Sequence, residues 1–151
     1  MSDSQFLFKE SQRFNQPWLY LLLIGINIIT FTSSSISFFP IVITLGITAL
    51  IYFSQLETQV DRIGIHYRFI PYFNKWKLLE WNEISEAKIR KYNSFKEFGG
   101  FGIRINFSGN KAYNTSGNMG LDIKLKNNQN ILIGTQKPDE LENLIERLKM
   151  E

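Results

Sequence analysis

Residues 14–56 read FNQPWLYLLLIGINIITFTSSSISFFPIVITLGITALIYFSQL, a run of 43 positions without one charged side chain. Arg13 closes the charged sequence before it and Glu57 reopens it after. As one helix the run would be about 64 Å long, twice the roughly 30 Å hydrocarbon thickness of a bilayer. It therefore reads as two helices. Thr32-Ser33-Ser34-Ser35 offers the break, because short hydroxyl side chains compete for backbone hydrogen bonds and suit a turn. This reading predicts a two-span transmembrane hairpin over 18–55, with spans near 18–32 and 36–53. Pro40 falls in the opening turn of the second, where proline costs a helix least.

The flanks of the run set an expected orientation. Lys9 and Arg13 precede it, Arg62 and Arg68 follow it, and the connecting turn is uncharged. Basic residues concentrate on the cytoplasmic side, so both termini are expected there, in a multi-pass bacterial inner-membrane protein. Trp18, Tyr20 and Tyr52, with Phe53, are expected to anchor the hairpin at one interface. Asn27 is a candidate helix–helix contact, since an amide among apolar residues seeks a polar partner. Residues 1–17 form an N-terminal juxtamembrane segment whose Phe6, Phe8 and Phe14 suit an interface or the surface of the following domain. A cleaved leader fits less well, because that segment is long, carries Asp3 and Glu10, and is followed by a second apolar stretch.

From residue 56 to 151 the pattern changes to short alternating strands. Ile65, Tyr67 and Phe69 oppose His66 and Arg68, and Ile103, Ile105 and Phe107 oppose Gly102, Arg104 and Asn106. Leu121, Ile123 and Leu125 alternate with Asp122, Lys124 and Lys126. Asn127-Asn128-Gln129-Asn130 turns the chain into Ile131–Gly134. At 138–150 the period becomes helical, with Leu141, Leu144, Ile145 and Leu148 behind Pro138, Asp139 and Glu140, residues that favour a helix start. Seven strands and a final helix predict an antiparallel sandwich or open barrel, mainly β, capped by the C-terminal helix.

Composition narrows the chemistry. The chain has 151 residues, no cysteine, one histidine and a net charge of +3. Thiolate metal sites and disulfides are excluded. His66 alone cannot supply a nucleophile–base–acid arrangement, and Glu80, Glu83 and Glu86 read as a solvated cluster. Neither a catalytic residue, a metal site nor a cofactor is expected. Gly99-Gly100-Phe101-Gly102 lacks the Lys-Ser/Thr of a phosphate loop and precedes a strand, so it reads as a turn. Lys88, Arg90, Lys91, Lys96 and Arg104 make 87–126 locally cationic, a candidate surface for anionic lipid or a partner. Tyr113 and Asn114 are candidate loop contacts. Nucleic acid and a small-molecule substrate are not expected.

Gly99-Gly100-Phe101-Gly102-Ile103-Arg104, Ala112-Tyr113-Asn114, Gly117-Asn118-Met119-Gly120 and Ile133-Gly134-Thr135-Gln136, placed behind an apolar hairpin, resemble the recurring phrases of bacterial membrane-anchored proteins with a pleckstrin-homology-like domain. The resemblance covers essentially the whole chain. It implies a non-catalytic binding or docking module for a protein partner or an anionic lipid surface, fixed by its hairpin. The alternative is a structural subunit of a membrane homo-oligomer or larger membrane complex.

Overall fold

The structure is a computed structural model describing residues 6–33 and 38–150. Strand β1 (Phe8–Arg13) leads into helices α1 (Pro17–Thr32) and α2 (Phe38–Tyr52). Strands β2 (Gln55–Val60), β3 (Gly64–Ile70), β4 (Phe73–Glu80) and β5 (Ile84–Lys91) follow, with a 3-10 turn at Trp81–Glu83 between the last two. A short helix α3 (Ser94–Phe98) precedes β6 (Gly102–Ile105), β7 (Lys111–Asn114), β8 (Met119–Leu125) and β9 (Asn130–Gly134), and α4 (Pro138–Met150) is the last described element.

Two sheets enclose the core. One is antiparallel in the order β1-β2-β3-β4, and the other runs β5-β8-β9-β7-β6. Their inner faces bring Leu56, Val60, Ile65, Phe69, Leu121, Ile123 and Ile133 into one cluster of almost zero exposure, closed by Leu141, Leu144 and Ile145 of α4. The helical spacing of those three residues explains why α4 lies with one stripe on the sheets and its acids and bases outward. Tyr67, Phe73 and Tyr113 pack edge-on and tilted at centroid distances of 5.0–6.1 Å, a joint between the sheets.

This architecture corrects the expected fold at three places. In place of the seven-strand antiparallel sandwich, the described residues form a nine-strand mixed arrangement, because 8–13 and 111–114 are strands and β7 pairs with β9 in parallel. In β1 the inward residues are Phe8, Glu10 and Gln12, so two polar side chains hide the alternation that marks a strand. The expected transmembrane hairpin is overturned as well. Among the described residues no helix is long and apolar enough to cross a membrane. With 16 and 15 residues, α1 and α2 reach about 24 and 22 Å, short of a roughly 30 Å hydrocarbon layer. The expected multi-pass inner-membrane location rested on those crossings and goes with them. The proposed turn at Ser34 and Ser35, and the start of the second span at Ile36, lie outside the described residues.

The hairpin is an insertion between neighbouring strands. β1 pairs with β2 from Phe8↔Val60 to Arg13↔Gln55, so the chain leaves the sheet at Arg13 and returns beside it at Gln55. Asn27 Nδ2 donates to Thr48 Oγ1 at 3.0 Å and to the Leu23 carbonyl at 2.8 Å, tying α1 to α2. Outward side chains such as Leu21, Ile29, Phe31, Phe38 and Phe39 are exposed, the kind of surface that marks an interaction.

The buried polar residues of β1 are spent on the second sheet. Gln12 Nε2 donates to the Gly134 carbonyl at 2.6 Å and Gln16 Nε2 to that of Thr115 at 2.6 Å. Glu10 accepts from Thr135 Oγ1 at 2.7 Å and from the Gln136 amide at 2.6 Å, and only 8% of Glu10 is exposed. Burial pushes its carboxyl above the ordinary 4.5, and the two hydrogen bonds and Lys137 offset that shift only in part. The folded chain therefore holds this proton more tightly than the unfolded chain. The Glu10 contribution to stability is fullest below pH 4.5 and is lost as pH rises through the raised folded value. Glu10→Gln keeps one acceptor and adds a donor toward Thr135. Urea unfolding should find it at least as stable as the parent at pH 7, with that advantage fading toward pH 4. An equal loss at both pH values would contradict the assignment.

Candidate functional site

The α3–β6 connection is built around a small set of local bonds. Asn93 Oδ1 accepts from the amides of Phe95 and Lys96 at 3.1 and 3.0 Å, and Glu97 Oε1 accepts from the Asn93 amide at 2.9 Å, a reciprocal cap. Gly99, at φ 74°, ends the helix in the left-handed conformation that glycine adopts freely. Asn114 Oδ1 then accepts from the Gly102 amide at 2.9 Å, while its Nδ2 donates to Ser94 Oγ at 3.3 Å. Thus β7 holds both ends of the turn, and Phe95 and Phe101 meet edge-to-face at 5.5 Å.

Between this turn and the base of the hairpin lies a cleft of about 850 Å³. Trp18 and Leu19 of α1 and Ile43, Ile47 and Leu50 of α2 form one wall, and Phe95, Phe101, Ile103 and Gly99–Gly102 form the other. Gly46 and Ile51 of α2 join the first wall, Phe14 and Tyr72 complete the lining, and Arg104 is its charged residue. A second hollow of about 500 Å³, lined by Lys91, Tyr92, Asn93 and Asn118, lies on the other side of Phe95 and Phe101.

The second sheet has an open edge at β6. Register runs Gly102↔Asn114 to Ile105↔Lys111 against β7, and among the described residues no strand pairs on the other side. The Asn106 amide donates to the Asn110 carbonyl and the Gly102 amide to Asn114, so even-numbered amides turn toward β7. By alternation those of Ile103 and Ile105 face the open side. Ile103 is 37% and Ile105 65% exposed, and Phe107 projects fully from the hairpin tip. The alternation of these three residues is real, but the side they share faces solvent.

The cationic residues do not assemble into one free patch. Lys88 pairs with Glu86 at 2.9 Å, and Arg90 bridges Asp122 at 2.8 Å and Glu97 at 2.9 Å. Lys91 lines the second hollow, Lys96 is exposed on α3, and Arg104 borders the main cleft. Tyr113 and Asn114, expected on a loop, are buried in β7 at 4% and 0% exposure. Burial pushes the Tyr113 hydroxyl above its ordinary 10.0. Trp18 and Tyr52 are exposed near the hairpin base, and Tyr20 Oη donates to the Phe14 carbonyl at 2.6 Å. The Asn27 contact lies within the hairpin, to Thr48.

His66 Nε2 lies 3.0 Å from Asp61 Oδ2, both buried, and Asp61 Oδ1 accepts from the Ile63 and Gly64 amides. That cluster tightens the β2–β3 turn. Among the described residues no group of three or more histidines and acids could hold a metal. Phe95 and Ile105 escaped the sequence reading as surface residues, because aromatic and β-branched residues read first as core. The glycines between and beside them were the available signal.

No family model, characterised protein or solved structure matches the chain, so the resemblance to pleckstrin-homology-like proteins rests on the quoted residues alone.

Removing the cap should loosen the cleft wall without unfolding the sheets. Asn93→Ala is expected to cost about 1 kcal/mol, with faster exchange at the Phe95 and Lys96 amides and unchanged protection in β8 and β9. Unchanged exchange at both amides would contradict the role given to the cap.

Proposed function

We propose that this chain is a non-catalytic docking module that receives an extended segment of a protein partner along β6. The supporting observation is the open β6 edge, with the Ile103 and Ile105 amides turned outward and their side chains exposed. An unpaired edge of this kind accepts a further strand, whose main-chain hydrogen bonds supply affinity while alternate side chains supply specificity. Rigid support comes from β7, which is held between β6 and β9 and anchors the preceding turn through Asn114. Docking at a basic surface has less support, since Lys88 and Arg90 already have carboxylate partners. Self-assembly through the helices has less as well, because the Asn27 amide donor is used inside the hairpin.

The test is selection of twelve-residue peptides on the immobilised full chain, followed by amide chemical-shift mapping of the bound complex. Binders should move the Ile103 and Ile105 resonances most. Ile105→Pro removes an outward donor that the native ladder does not use, and proline is tolerated on an edge strand. It should weaken binding at least tenfold while circular dichroism stays unchanged. Binding that survives Ile105→Pro, or that leaves β6 unshifted, would overturn the proposal.

A further inference from the structure

We propose that the cleft between the helical hairpin and the α3–β6 turn binds an anionic amphiphile, an alkyl chain along α2 with its carboxylate or phosphate on Arg104. Its volume of about 850 Å³ falls in the roughly 300–1,000 Å³ range of ligand sites. The helix wall offers only side chains, since backbone groups within a helix bond each other. Against that wall a peptide would leave its own amides and carbonyls unpaired, whereas an alkyl chain has none to satisfy. Space along that wall comes from Gly46, where a Cβ would meet nothing within 4 Å. Arg104 donates from Nε to the Phe101 carbonyl at 2.9 Å, which steadies the guanidinium, and among the described residues no carboxylate pairs with it. Its remaining donors can take two oxygens of a carboxylate or of a phosphate as a pair. The cleft thus has one charged residue and an apolar interior, the two halves of an amphiphile.

Titration calorimetry on the full chain, with every probe below its micellar concentration, tests the assignment. Decanoate, dodecanoate, dodecyl phosphate and decyltrimethylammonium are the probes. One site is expected, about fifteenfold tighter for dodecanoate than for decanoate if each of two methylenes contributes about fourfold. Decyltrimethylammonium should bind at least tenfold more weakly than decanoate. Comparing dodecanoate with dodecyl phosphate identifies which head group the site prefers. Arg104→Gln should erase the preference for anions, and Gly46→Phe, whose ring would fill the cleft, should abolish binding of every probe while circular dichroism stays unchanged. Several weak sites, equal binding of the cationic probe, or full binding by Gly46→Phe would overturn the proposal. Ile105→Pro leaves this cleft intact, so loss of peptide docking and loss of amphiphile binding are read separately.

Discussion

Pairing of β1 with β2 is the constraint on which the rest of the molecule depends. Thirty or so apolar helical residues are inserted between two adjacent antiparallel strands, and the rung at Arg13↔Gln55 closes the base of that insertion. Because exit and return lie side by side, α1 starts and α2 ends at the same edge of the domain. Gln16, bonded to the Thr115 carbonyl, brings that edge against the second sheet. The hairpin is therefore held near the α3–β6 turn, and the cleft exists because the two are fastened at a common point.

Polar side chains do the fastening. Glu10, Gln12 and Gln16 reach across to Thr135, Gln136, Gly134 and Thr115, all within about 3 Å. Buried bonds of this kind add little net stability each, yet leaving any one unmade is expensive, so they select one docking of β1 over others. Specificity of this sort suits a segment separated from its partner strand by a long insertion. The entropy of closing that loop rises only slowly with its length.

The sequence conveyed period better than context. Leu121, Ile123 and Leu125 alternate and are buried, and the helical spacing of Leu141, Leu144 and Ile145 belongs to residues buried under α4. Ile103, Ile105 and Phe107 alternate just as clearly but face outward, because a strand's period says which residues share a face and not which face is covered. β1 was hidden by Glu10 and Gln12, whose burial depends on partners more than 120 residues away. The uncharged run misled in another way. Apolar composition over 43 positions suggested crossing helices, whereas the described helices have 16 and 15 residues. Of the candidate contacts, Asn114 proved an internal strut and Arg104 a residue of the cleft, assignments that depend on Gly102, Phe101 and the hairpin together.

Amide hydrogen exchange of the free chain tests the central claim most directly. If β1 is an integral strand that closes the hairpin, the amides of Phe8–Arg13 bonded to β2 exchange as slowly as those of Gln55–Val60. Rapid exchange throughout Phe8–Arg13 beside a protected β2 would make the N-terminal segment a loose arm, and would contradict the account of how the hairpin and cleft are held.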